Sequence, residues 1–164
     1  MGVVESSRDV TDRFAELVRG PESECRLDLG AMLIAAHARR DLDVDEQLTR
    51  LDKLAASCGE PTLDGLTRHL FQEEELQGDI EEYSHPRNSL LDSVLDRRRG
   101  IPITLSVVVL EVGRRLGVPL EGIGMPGHFL VRDKVDAVST GGDTLTLELD
   151  RSGSVPYASI KAFN

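Results

Sequence analysis

Residues Asn88–Arg132 read NSLLDSVLDRRRGIPITLSVVVLEVGRRLGVPLEGIGMPGHFLVR, and this stretch decides the fold. Leu90, Leu91, Val94 and Leu95 recur at helical spacing behind Asn88 or Ser89 as a cap. Arg97-Arg98-Arg99 then make a cationic last turn, which suits the exposed carbonyls of a helix end. Gly100-Ile101-Pro102 opens a second helix, because proline fits a first turn, where its missing N–H has no bond to lose. That helix is predicted to run to Leu116 and to stop at Gly117, the residue best able to take left-handed backbone. Its middle, Val107-Val108-Val109-Leu110, is apolar on nearly every side, which marks a central buried helix. After Pro119 the pattern becomes strand-like over Leu120–Met125, His128–Arg132 and Asp143–Leu149, with Thr140-Gly141-Gly142-Asp143 as a hairpin connection. Val155–Phe163 is one more strand or an edge segment.

Outward from this stretch, the N-terminal half is helical. Val10, Phe14, Leu17 and Val18 share one helical face, and Leu29, Met32, Leu33 and Ala36 share another. Asp43 with Glu46 three residues on has the spacing of a capping box, ahead of Val44, Leu48, Leu51 and Leu54. A fourth helix is predicted from Pro61, carrying Leu63, Leu66, Leu70 and Phe71 inward. Glu73-Glu74-Glu75 is read as its solvated acidic tail. His69 and Glu73 stand four apart, but no third ligand has a place near them, so no metal site is expected. Gln77–Pro86 is a polar connection. The fold class expected is α+β: a helical N-terminal lobe, 1–85, packed on a mixed core, 86–164, with a central buried helix and a small antiparallel sheet, as one compact unit.

Composition bounds the function. The 164 residues, 40% hydrophobic, are enough for one ordinary core with a helical lobe on it. A formal net charge of −10 argues against a nucleic-acid partner, whose recognition rests on a concentrated basic surface. Cys25 and Cys58 are too few for a disulfide framework and are not in metal-ligand spacing, which points to a reducing compartment. The longest apolar run, Ile101–Leu110, is half the roughly 20 residues a membrane span needs. The N-terminus lacks a basic n-region and an apolar core. A cytoplasmic protein without cofactor is expected, with a protein or a small molecule as partner and neither nucleic acid nor membrane.

The segment resembles a transglutaminase-like core of the papain-like superfold. Such cores place a nucleophilic cysteine at a helix start after glycine, end the helix in an Arg-x-Leu-Gly-Ile-Pro type of loop, and continue to a histidine strand and an aspartate strand. Here Gly100-Ile101-Pro102, Arg114-Arg115-Leu116-Gly117-Val118-Pro119, His128 and Asp150 follow in that order, and proline stands where the cysteine is expected. More narrowly, the chain resembles the SirB-type transglutaminase-like family. The pieces are Leu42-Asp43-Val44, Leu51-Asp52-Lys53-Leu54-Ala55, Leu70-Phe71, Pro86-Arg87-Asn88-Ser89, Arg98–Ser106 and Pro126-Gly127-His128-Phe129-Leu130-Val131, over about two thirds of the chain. The Gly-Ile-Pro-Ile form is usual in that family, so Pro102 is a family trait. The usual final Asp-Pro-Phe signature is here Asp150-Arg151-Ser152, with the aspartate kept. Many members continue into a helical repeat region. The chain stops at Asn164, so a function of that region is not expected of it.

A thiol nucleophile needs a helix N-terminus, a histidine base and a group that orients the histidine. The resemblance supplies His128 as the base position and Asp150 as its orienter. Pro102 can be neither nucleophile nor donor. The expectation is therefore a non-catalytic binding or interaction module, a pseudoenzyme. The alternative is a hydrolase or amidase using Ser106 or Thr104 with His128 and Asp150. Ser106 is one turn beyond Pro102 on the same face, and Thr104 points roughly 200 degrees around the axis. Either hydroxyl can instead bond within its own helix, and His128 can equally be a bonded core histidine. Asn88, Arg98, Tyr83 and Pro102 are the binding candidates around the cleft, with an N-cap as the competing role of Asn88. A third reading has the acidic helical lobe, 1–80, bind a basic partner while the core serves as scaffold.

Overall fold

The computed structural model describes residues 7–125, 128–134, 144–148 and 157–160. Among them the helices are α1 (Ser7–Arg19), α2 (Leu27–Ala38), α3 (Val44–Ser57), α4 (Leu63–Arg68), α5 (Leu91–Arg97) and α6 (Pro102–Leu116). β1 (Gln77–Gly78) and β2 (Arg99–Gly100) form a two-residue parallel pair. β3 (Leu120–Met125), β4 (His128–Asp133), β5 (Thr144–Glu148) and β6 (Tyr157–Ile160) form one antiparallel sheet in sequential order. The molecule is thus α+β, helices first and a small sheet after. The expected turn at 140–143 lies outside the described residues.

Local chemistry accounts for the helix ends. The Asp43 carboxylate accepts the Glu46 N–H at 3.1 Å and starts α3. Thr62, not Pro61, caps α4: its hydroxyl accepts the Gly65 N–H at 3.0 Å, so the helix begins at Leu63. Past Arg68 the backbone widens into a π turn over His69–Glu73, with the Glu74 N–H reaching the His69 carbonyl at 2.9 Å. Pro102 occupies the first turn of α6. At the other end Gly117 has φ 74°, its N–H bonds the Arg114 carbonyl, and the Val118 N–H bonds the Gly113 carbonyl at 2.9 Å. That paired closure needs the left-handed residue that glycine supplies without a Cβ penalty.

Helix α6 is the pivot of the core. Leu105, Val108, Val109 and Val112 are fully or almost fully buried. They join one cluster with Met32 and Leu33 of α2, Leu51 of α3, Leu66 of α4, Val94 of α5 and Val131 of β4. The same helix lies against β3 and β4. Gly113 permits that approach, because a Cβ there would stand 2.5 Å from Leu120 Cδ1. No helix among the described residues is long and apolar enough to cross a membrane.

Three local expectations are corrected. Gln77 and Gly78 are part of a strand pair as well as a connection: the Gln77 N–H bonds the Arg98 carbonyl and the Asp79 N–H bonds the Gly100 carbonyl. The cap of α5 is not Asn88 or Ser89, since Pro86–Ser89 forms a 3-10 turn and the helix begins at Leu91. Arg98 does not extend α5. It takes the left-handed conformation, φ 58°, so Arg97 and not Arg98 is the least exposed of the three arginines.

Leu105→Ala is expected to cost about 2–5 kcal/mol of unfolding free energy in urea denaturation, as a buried cavity-forming truncation. Ile103→Ala, two residues earlier on the exposed side of α6, is expected to stay within about 0.5 kcal/mol.

Candidate functional site

The start of α6 is held by a buried polar node centred on Asn88, which is 0% exposed. The Asn88 backbone carbonyl accepts the Ile101 N–H at 3.3 Å and the Thr104 hydroxyl at 2.9 Å, which fixes the first turn of the helix from outside it. The side-chain amide of Asn88 donates to the Glu82 carbonyl at 2.7 Å and to the Tyr83 carbonyl at 3.3 Å. Its amide oxygen accepts from Arg97 at 2.8 Å. A second Arg97 nitrogen reaches the buried Asp79 carboxylate at 2.7 Å, and the other Asp79 oxygen accepts the Glu82 N–H at 3.1 Å. Burial alone pushes the Asp79 carboxyl up, but the bonds from the Glu82 N–H, Arg97 and Asn88 outweigh it and hold the group below the usual carboxylate range.

Of the residues singled out in the sequence, Asn88, Thr104 and the Tyr83 backbone meet in this node, next to Pro102. Thr104 is buried and its hydroxyl is committed to the Asn88 carbonyl. Ser106 is 0% exposed, and its hydroxyl oxygen has no hydrogen-bond partner among the described residues. Pro102 is half-buried and the Tyr83 side chain is exposed. Arg98 lies apart from the node, paired with Glu74 at 2.6 Å. His128 opens β4, its backbone in register with Met125 of β3. Its side chain and the whole of Asp150 lie outside the described residues.

Asp79 and Arg97 are the members that sequence reasoning missed. A signal existed for Asp79: an aspartate three residues before Glu82 has the spacing by which a carboxylate accepts a backbone N–H. Arg97 carried none, because nothing local separates it from Arg98 and Arg99. Elsewhere, His69 is buried with Nδ1 2.7 Å from Glu73 and Nε2 3.1 Å from the Ser57 hydroxyl, so both ring nitrogens are engaged within the fold. Among the described residues no group of three or more His, Cys, Asp or Glu is arranged to hold a metal ion.

A family model described as the Transglutaminase-like superfamily matches residues 26–149. A UPF0162 protein of Xylella fastidiosa is 54% identical over 71 residues, 43% of this chain and 25% of that protein. A UPF0162 protein of Pseudomonas aeruginosa is 39% identical over 102 residues, 59% of this chain and 36% of that protein. F-box only protein 21 of Homo sapiens is 40% identical over 70 residues, 43% of this chain and 11% of that protein. The chain therefore spans only a quarter to about a third of the bacterial relatives it matches. No solved structure matches.

Two buried carboxylates are expected to make the fold acid-sensitive. Asp28, like Asp79, is desolvated, yet its bonds from Arg26, Arg115 and the Leu29 N–H hold its carboxyl below the usual range. Because both native values are depressed, the unfolded chain binds more protons once the pH nears the ordinary aspartate value of about 4. Their contribution to stability is complete above that value and is lost as the pH falls through the native ones. Urea midpoints are expected to hold from neutral pH down to about 5 and then to drop. Asp79→Asn and Asp28→Asn are expected to be less stable at neutral pH and to show a shallower drop.

Proposed function

The chain belongs to the transglutaminase-like superfamily, and on that premise we propose that it is a non-catalytic member, a module that binds a protein or a small molecule at a cleft around His128 and Asp150. Pro102 carries this reading. It stands on the first turn of α6, where the resemblance puts the thiol, and proline has neither a nucleophilic atom nor an N–H. The thiols the chain does have are on other elements, Cys25 exposed between α1 and α2 and Cys58 just after α3. Within the superfamily the reading is a SirB-type member, supported by Gly100-Ile101-Pro102-Ile103 and Pro126-Gly127-His128-Phe129.

The alternative of a Ser/Thr hydrolase asks for an accessible, activated hydroxyl. The Thr104 proton is already given to the Asn88 carbonyl, and Ser106 is closed off from solvent. Both facts weigh against it. In the non-catalytic reading Asn88 is a frame residue that shapes the cleft mouth, and Tyr83 offers an exposed ring beside it. In this reading 1–85 is the helical lobe and 86–164 the core, and the contacts of α6 with α2, α3 and α4 as well as β3 and β4 support their acting as one unit. Relatives that share stretches of about 70 residues, in proteins of which those stretches are 25% and 11%, fit a portable module.

The purified protein is expected to show no iodoacetamide-sensitive protease, amidase or transamidase turnover, and a fluorophosphonate probe is expected to leave Ser106 unmodified. Turnover abolished by iodoacetamide with labelling of Cys25 or Cys58, or a probe adduct that disappears in Ser106→Ala, would overturn the reading.

A further inference from the structure

We propose that the cavity between the end of α2, the Pro86–Ser89 turn and α5 is a binding site for a small anionic ligand that carries a phosphate or carboxylate group. The cavity measures about 530 Å3 and is walled by Arg39, Arg87, Arg97, Ser93, Asp96 and Leu90, with Ala38. That size is in the range of small-molecule sites. Three guanidiniums on one cavity stand out in a chain of net charge −10.

What makes this a site and not a scatter of surface charge is how the arginines are held. Arg97 is gripped from behind by Asn88 at 2.8 Å and by Asp79 at 2.7 Å, both buried. Arg39 is gripped by the buried Asp92 carboxylate at 2.5 Å. A guanidinium carries five N–H donors, so each of these two keeps donors unspent; Arg97 is held at two nitrogens, which fixes its plane, and Arg39 at one. Arg87 sits on the 3-10 turn, its backbone N–H bonded to His85 Nδ1 at 3.1 Å, and its side chain makes no ion pair among the described residues.

The charges around the cavity leave an excess. Arg39, Arg50 and Arg97 pair with the carboxylates of Asp92, Asp96 and Asp79, and Asp96 is shared between Arg50 at 2.7 Å and Arg39 at 4.0 Å. The unmatched positive charge is that of Arg87. An oxyanion entering there meets two pre-aimed guanidiniums, one unpaired one and the Ser93 hydroxyl. Little side-chain entropy remains to be lost on binding, because the anchors have already ordered two of the three arginines. Leu90 and Ala38 supply an apolar wall for the carbon part of the ligand. The lining of this cavity does not include Pro102, and the proposal does not depend on the cleft reading.

Isothermal titration at constant ionic strength, with inorganic phosphate and with glutarate as the two probes, tests it. Wild-type protein is expected to bind at least one probe in the millimolar range or tighter, and the tighter of the two identifies the anion class. Arg87→Gln is expected to weaken that binding about tenfold, the worth of one charge-assisted pair. Lys53→Gln, which removes a cation from a neighbouring cavity lined by Arg50, Ser57 and Arg98, is expected to leave it within about twofold. Amide shifts of wild-type protein on titration with the bound probe are expected to centre on Arg87, Ser93 and Arg97. No binding of either probe, equal weakening by both substitutions, or shifts centred elsewhere would each overturn the site.

Discussion

The structure turns on one desolvated amide. Asn88 spends its backbone carbonyl on the first turn of α6, its side-chain N–H groups on the Glu82 and Tyr83 carbonyls and its side-chain oxygen on Arg97. The 79–83 loop, the end of α5 and the start of α6 therefore share one point of attachment. A buried polar network of this kind is stabilising only when every member is satisfied, since an amide left without partners in the interior costs about 1–3 kcal/mol per unpaired group. Satisfaction here extends to Asp79, which neutralises Arg97 and also bonds the Glu82 N–H. The register of the loop that borders the α6 N-terminus follows from that closure.

The far end of the same helix is fastened in a different way. Asp28, at the start of α2, receives Arg26 at 2.8 Å and Arg115 at 2.6 Å, and Arg115 also reaches Asp52 of α3 and Glu111 one turn back in α6. Glu111 is itself buried and takes Arg114 at 2.7 Å. Buried ion networks add little net stability compared with apolar packing, but removing one member strands a charge, so they select a single arrangement of helices. With an amide node at one end, an ionic node at the other and valines between them, α6 has one place to sit. The first turn of this doubly anchored helix carries Pro102.

Much of this was legible in the sequence for physical reasons that are local. The 3.6-residue repeat of Val44, Leu48, Leu51 and Leu54, the Asp43 cap, the continuous apolar face of α6 and the Gly117 stop each depend on residues a few positions apart, and each appears in the structure with its end residues close to expectation. The alternation of Leu145 and Leu147 with threonines is likewise a property of one strand. Errors arose where a partner came from a distance. Asn88 has the residue type of a helix cap, but Arg97 takes the amide oxygen that a cap would offer to a backbone N–H, while its NH2 group is held by the Glu82 and Tyr83 carbonyls. Arg98 has the residue type of a helix end, yet the β1–β2 pairing draws the Arg98 carbonyl to Gln77 and turns the chain away from helical geometry.

By itself, the sequence determined that this is a helical chain running into a small antiparallel sheet, that its central helix is buried, and that proline stands at the start of that helix. Those are consequences of periodicity, of capping chemistry and of residue identity, which need no neighbour in space. Only the tertiary structure decided that Thr104 and Ser106 are buried, that Arg97 among three adjacent arginines is the structural one, and that Arg39, Arg87 and Arg97 converge on one cavity of an acidic protein. Burial and convergence depend on which distant side chains arrive at the same point. The linear pattern places Arg39 and Arg97 on different helices and Arg87 on a turn, and packing of α2 against α5 is what brings them together.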